Sequence, residues 1–323
     1  MPRIAVFVLI FCCFELSLRA QQDAQFTHYM YNQVYFNPAF AGLTNTNSLM
    51  AIHRSQWFGY DGTTNSSGAP NTQFISYNGV SALWNGGFGG YIVNDNLGPV
   101  NNLEVQLAGS YIVNLSDRSS LTFGLKVGLF SNSINFDEII VVDPNDNLIG
   151  MSGKESQLNP DIGVGLLYRN GNFFGGLSAN HLLQPEFDYG NDQISNQLVR
   201  HYYVMAGYDY ALNQEVTITP TLLIKNIGFN EYSWDITAIA KVRDRIWFGA
   251  AYRDTESASA LVGYRLLQDR SLSLGYAFDF IINDAANKEP TSQEIMLIYT
   301  FSSEGGGRRK LGKNIIRTPR YRY

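Results

Sequence analysis

Residues 103–114, LEVQLAGSYIVN, put Leu103, Val105, Leu107, Tyr111 and Val113 on one face of an extended chain and Glu104, Gln106, Ala108 and Ser110 on the other. Successive side chains of a strand point to opposite faces, so a period of two with one polar face is a strand signal. The pattern recurs at 120–131, where Leu121, Phe123, Leu125, Val127 and Leu129 oppose Thr122, Gly124, Lys126 and Gly128, and again at 216–225, 231–242 and 271–282. Weaker matches fill the intervals at 47–57, 71–81, 86–94, 160–169, 172–180, 199–210, 245–253 and 258–266. The stretch SQEIMLIYTF, ending at Phe301, completes a set of fourteen, and no helical period competes.

Two architectures accommodate such a chain, a soluble sandwich and a transmembrane barrel. Most segments have the roughly 9–11 residues a tilted membrane strand needs, and an even count is the rule for single-chain bacterial barrels. Numbered from the first strand, one set of gaps runs 13, 8, 28, 18, 5, 4 and 9 residues and the other 4, 5, 2, 5, 2 and 4, with Asn170-Gly171 as a hairpin turn. Long external loops alternating with short periplasmic turns are a barrel property. The chain carries 20 Tyr, 20 Phe and 30 Gly with 16% charged residues. Its apolar faces hold Tyr and Trp, while the opposite faces are Gly, Ser and Thr with Glu104, Lys126, Asp235, Lys241, Arg253, Arg265 and Asp279. In a barrel those charges face the lumen and pair across strands. The predicted fold is therefore all-β, a transmembrane antiparallel β-barrel of about 14 strands over residues 47–301.

Residues 1–20 read as a secretory signal, with Arg3, an apolar run from Ile4 to Phe14 and Leu18-Arg19-Ala20 before Gln21. The run is too short to span a bilayer, so cleavage after Ala20 is expected. Cys12 and Cys13 leave with the signal, so disulfides and thiolate metal sites are unavailable to the remaining chain. Removing Arg3, Arg19 and Glu15 leaves 21 basic and 27 acidic residues, a balance that disfavours nucleic acid as a partner. Residues 21–46 carry Phe26, Tyr29, Tyr31, Tyr35, Phe36 and Phe40 around Asn37-Pro38 without alternation. Such an aromatic segment is expected to fold into the periplasmic mouth as a plug-like element.

Enzymatic chemistry finds no support. His28, His53, His181 and His201 form no HExxH or related pair, so no metal is expected, and no G-x-S-x-G elbow is present. The run Gly86-Gly87-Phe88-Gly89-Gly90 lacks the Lys-Ser/Thr ending of a phosphate loop and instead reads as relief of crowding in a barrel wall. In DPNDNLIG, residues 143–150, Leu148 replaces the glycine a calcium loop requires and Lys154 stands where its bidentate Glu belongs. No catalytic residue, cofactor or metal ligand is assigned, which leaves a structural, transport or docking role.

Ordered blocks also carry a family resemblance: FTHYMYNQVYFNPAFAG (26–42), HRSQWFGYDG (53–62), APNTQFISYNG (69–79), GGFGGYIVNDNLGP (86–99), VDPND (142–146), NPDIGVGLLY (159–168), WFGAAYR (247–253) and SQEIMLIYTF. Together they resemble the PorP/SprF family, outer-membrane proteins of the Bacteroidetes type IX secretion and gliding system. Gln293 before Glu294 departs from the His-Glu pair expected in many members. The resemblance implies a barrel associated with periplasmic secretion-ring subunits and with a secreted cargo such as an adhesin. A passive or substrate-selective outer-membrane channel is the alternative.

An even strand count puts both termini in the periplasm, so residues 302–323 form a basic tail beneath the membrane. Arg308, Arg309, Lys310, Lys313, Arg317, Arg320 and Arg322 face Glu304 alone, after a Gly305-Gly306-Gly307 hinge. Ile315, Ile316, Pro319, Tyr321 and Tyr323 interleave these charges, which suits ordering on a protein partner, with attraction to anionic outer-membrane lipid as the plainer reading. The loops 132–159 and 181–198 carry Asp137, Glu138, Asp143, Asp146, Glu155, Glu186, Asp188 and Asp192, a solvated surface or a seat for cargo.

Overall fold

The computed structural model describes residues 23–44, 46–60, 68–139, 152–189, 195–229, 231–282 and 290–301. The first half of the wall consists of β1 (Asn47–Ser55), β2 (Asn71–Val80), β3 (Gly86–Leu97), β4 (Val100–Asn114), β5 (Ser119–Asn135), β6 (Lys154–Asn170) and β7 (Phe173–Asn180). Two short strands, β8 (Glu186–Asp188) and β9 (Ser195–Gln197), pair with each other in the following loop. The second half comprises β10 (His201–Tyr208), the two-residue β11 (Tyr210–Ala211), β12 (Val216–Ile227), β13 (Glu231–Val242), β14 (Ile246–Arg253), β15 (Ser257–Leu266), β16 (Leu272–Ile281) and β17 (Thr291–Phe301). Each wall strand pairs antiparallel with its sequence neighbour, and β1 pairs with β17 from Asn47↔Phe301 to Ser55↔Gln293. With β10 paired to β12, the sheet closes into a barrel of fourteen strands, as the alternation predicts.

Alternation fixes the register, because a slip of one residue would turn every side chain to the wrong face. Along β4, Leu107 and Tyr111 are 68% and 54% exposed while Glu104 and Gln106 are 3% and 1% exposed. In β5, Phe123, Leu125 and Val127 face out while Thr122 and Lys126 are buried. This outward apolar band meets lipid, and the polar face lines the lumen.

The long-loop side differs from expectation around β3–β6. A gap of eight residues was predicted between β3 and β4, but only Gly98-Pro99 intervene, with Gly98 at φ +66°. The intervening polar residues continue the ladder instead of forming a loop. Asn101 Nδ2 donates to Asn94 and Asn96 at 2.9 and 2.5 Å, and Asn96 Nδ2 donates to Asn71 at 3.2 Å. Side-chain amides thus satisfy one another across β2, β3 and β4. Likewise β5 and β6 are 17 residues each, longer than a membrane crossing requires. Beyond that span, Phe130 of β5 and Phe136 just after it join Phe187, Tyr189 and Leu198 from the β7–β10 loop in a second apolar cluster. The calcium-like stretch at 143–150, and Asp146 and Asp192, lie outside the described residues.

Candidate functional site: a segment latched inside the lumen

The principal core lies within the barrel. Residues 23–44 enter the lumen, forming a one-turn helix α1 (Gln33–Phe36) and a 3-10 turn at Pro38–Phe40. Asn37 ends α1 because the residue before a proline avoids helical backbone, and here it is extended at φ −140°, ψ 113°. Its side chain accepts from Ala39 N at 2.9 Å and donates to the carbonyls of Leu166 and Leu177, both at 3.1 Å. Those two residues are register partners on β6 and β7, so one amide clamps the turn to two strands.

Phe26, Tyr29, Tyr35, Phe36 and Phe40 are each at most 3% exposed. They share one apolar cluster with residues of every wall strand except β5. Phe26 meets Tyr35 and Phe74 edge-on at 5.3 Å, Phe36 meets Tyr203 at 5.3 Å and Phe40 meets Phe174 at 5.9 Å. Edge-to-face pairs of this kind add to the stabilisation from burial. Close approach to β5 falls on glycine: a Cβ at Gly124 would overlap the backbone of Pro38 and Ala39. The β3 glycine run serves the same purpose, since a Cβ at Gly87 would overlap Gly42, itself at φ +65°.

Buried polar groups tie the upper part of the segment to the wall. Glu294 on β17 accepts from the backbone N–H groups of Thr27 and His28 at 2.8 and 2.9 Å, and its Oε1 lies 2.6 Å from His28 Nδ1. A carboxylate only accepts, so that ring nitrogen carries the proton. Arg54 Nη1 donates to Asp279 at 2.7 Å, to Thr27 Oγ1 at 2.9 Å and to Glu294 at 3.4 Å. Asp235 pairs with Lys225 at 2.9 Å and Arg253 at 2.8 Å. These cations also hold the segment, Lys225 through Gln25 Oε1 at 2.6 Å and Arg253 through the carbonyl of Phe26 at 3.0 Å. Lys126 donates to the carbonyl of Tyr35 at 3.2 Å and to Tyr91, whose hydroxyl donates to Glu104 at 2.6 Å.

A further group closes the long-loop end. Asp23 Oδ1 lies 2.8 Å from His181 Nε2, and Asp23 Oδ2 accepts from Tyr203 at 2.5 Å. On the other side of the imidazole, Nδ1 is 3.1 Å from Asp161, which also accepts from Gln106 at 2.8 Å. Burial pulls the His181 pKa down, but Asp23 and Asp161 outweigh it and hold the imidazolium up to about 10.

The segment therefore does more than close the periplasmic mouth, the placement its composition suggested. Gly42 donates to Asn78 at 2.5 Å near the tight-turn end, while Asp23 sits at the opposite end of the barrel beside His181. Asp23 thus lies at the long-loop end of the barrel, and Phe301 at the tight-turn end beside the start of β1. The lumenal charges Glu104, Lys126, Asp235, Arg253 and Asp279 pair as expected, and Arg265 pairs with Asp244 at 2.8 Å. Their segment-facing partners Arg54 and Glu294 each read in the sequence as an isolated charge near a strand end, with nothing in the spacing that pairs them. Nor does spacing reveal that Asp23, His181 and His201 meet. Of the acidic loop residues, Asp137 accepts from Gly153 N at 2.9 Å and Glu138 from Asn135 at 2.6 Å, while Glu186 and Asp188 fall in β8. Arg308, Arg309, Lys310, Lys313, Arg317, Arg320, Arg322, Tyr321 and Tyr323 all lie outside the described residues.

Solved outer-membrane proteins share this architecture at low identity. A TodX deltaS2S3 mutant monoaromatic hydrocarbon channel is similar with TM-score 0.50 and 12% identity, over 84% of this chain and 94% of that one. The Pseudomonas putida toluene transporter TodX gives 0.47 at 10% identity over 83% and 92%, and a Pseudomonas aeruginosa FadL homologue 0.46 at 14% over 80% and 90%. At such identities the likeness is one of fold. A comparison with curated proteins returned no match. The model of one family, type IX secretion system membrane protein PorP/SprF, matches residues 18–299, and the chain belongs to that family.

Proposed function

We propose that this protein is a non-enzymatic outer-membrane component of type IX secretion that docks to the periplasmic ring and supports export or surface anchoring of cargo such as an adhesin. Family membership supports the secretion setting. The observation that carries the reading is the latched segment: buried aromatics and ion pairs fill the lumen from Asp23 to Leu43, which favours a rigid scaffold over an open pore. The basic tail, residues 302–323, with its seven cations, is the proposed contact with ring subunits. The acidic loops on the other side are the proposed seat for cargo.

Truncation after Ser303 tests the docking. The shortened chain is expected to insert normally, judged by heat-modifiable migration from outer membranes, and to lose co-purification with periplasmic ring subunits. Retained co-purification would refute docking through the tail. The alternative, a passive or substrate-selective channel, requires the segment to shift, and steady single-channel conductance by the intact chain without any ring partner would favour it.

A further inference from the structure

We propose that Asp23, His181 and His201 form a binding site for one divalent transition-metal ion of the zinc type, clamping the start of the lumenal segment to the external rim of the barrel. Each residue offers one ligand atom, and the three atoms lie within 4.8 Å of one another. His181 and His201 are 1% and 2% exposed. The inference is independent of the secretion reading.

The outer partners point the same way. His201 Nδ1 lies 2.9 Å from the carbonyl of Val199, which requires the proton on Nδ1 and leaves a lone pair on Nε2. That Nε2 is buried and has no hydrogen-bond partner in the protein. A buried acceptor left without a donor costs free energy, and a metal ion relieves it. His181 has Asp161 beside its other nitrogen, and Gln106 holds Asp161 in turn. A metal-bound histidine backed by a carboxylate is the arrangement that orients the ring and raises its basicity. Tyr203 fixes the second oxygen of Asp23, so Asp23 and His201 each have a hydrogen-bonded support, and His181 has the Asp161 carboxylate beside it.

Two imidazoles and one carboxylate suit Zn²⁺ or its neighbours, with a fourth position for water or an incoming ligand. At metal–ligand distances of about 2.1 Å, tetrahedral ligands stand roughly 3.3 Å apart. His181 Nε2 and Asp23 Oδ1 are already 2.8 Å apart, so binding spreads that pair slightly and draws His201 inward. Without metal, the His181 proton bridges toward Asp23, and binding must release it.

Metal-stripped, folded mature protein titrated with Zn²⁺, and with Co²⁺ for spectroscopy, is the direct test. One ion per chain is expected, with the visible bands of four-coordinate Co²⁺. His201→Gln and Asp23→Asn are each expected to weaken binding about a hundredfold or more, and the exposed His53→Ala to leave it unchanged. Folded wild-type protein that takes up no stoichiometric metal, or uptake undiminished in His201→Gln, would overturn the proposal. If His201→Gln fails to fold, X-ray absorption of the Co²⁺-loaded wild type decides: two imidazole ligands support the site, and fewer than two refute it.

Discussion

Glu294→Gln isolates the contribution of one latch while leaving the barrel wall intact. The glutamate accepts two backbone N–H groups and the His28 ring, and Arg54 approaches it at 3.4 Å. Glutamine has the same shape but carries no charge and only one acceptor oxygen. Its NH₂ must then face either the Thr27 or the His28 amide, donor against donor. One buried donor left unpaired costs about 1–3 kcal/mol, and the remaining bonds lose about 1 kcal/mol each when their acceptor becomes neutral. Arg54 keeps its 2.7 Å bond to Asp279, so the expected loss is about 3–5 kcal/mol, the range for breaking a buried pair. At about 1.4 kcal/mol per factor of ten, hydrogen exchange of segment amides from Thr27 to Phe36 should accelerate by roughly 10² to 4×10³ relative to wild type. Amides of β3–β5 should not change, and heat-modifiable migration should persist. Unchanged exchange in the segment of a folded variant would refute the idea that this carboxylate holds the segment in place.

Two further perturbations probe other contacts. Gly124→Val places a branched side chain where backbone atoms of Pro38 and Ala39 lie, so no rotamer change relieves the overlap; the turn should be displaced at a cost of about 1–3 kcal/mol, seen as faster exchange at residues 37–41, and an unperturbed turn would contradict the packing. In metal-free protein, raising the pH from about 6.5 through about 10 should progressively loosen the segment at Asp23–Phe26, because an imidazole whose pKa is raised on folding stabilises fully below its unfolded value and ceases to as pH passes the folded one. Exchange rates corrected for intrinsic chemistry should show the loosening, and His181→Gln should flatten the profile.

The wall was legible because its physics is local: wherever lipid outside meets a polar stretch of lumen inside, every second residue declares its face. Hence β4, β5, β13 and β16 are recognisable from residues such as Leu107 against Gln106, or Trp234 against Asp235. Where the sequence stops alternating, reading failed. Asn94-Asp95-Asn96 and Asn101-Asn102 resemble turn residues, yet they pair across β3 and β4 through amide ladders that composition does not announce. The aromatic segment was visible as something that must bury itself, but its path depends on partners more than 200 residues away, such as Glu294 for His28 and Arg253 for Phe26. Likewise His181 and His201 become neighbours of Asp23 only when β7, β10 and the segment are in place. The glycine run in β3 was rightly read as a place of crowding, although the crowding partner, Gly42, could not be named from spacing.

The latch also orders events during biogenesis. The segment precedes β1, while two of its strongest partners, Asp279 and Glu294, belong to β16 and β17 at the far end of the chain. The pairing of β1 with β17 that shuts the barrel therefore brings the same distant residues together as the seating of Thr27 and His28. Closing so long a loop is entropically costly, and contacts of that separation form late. Seam and segment thus reward each other: an open seam leaves Arg54 and Glu294 charged and unpaired, and an unseated segment leaves the closed cylinder hollow. Coupled in this way, half-built barrels are penalised twice, once at the seam and once in the lumen.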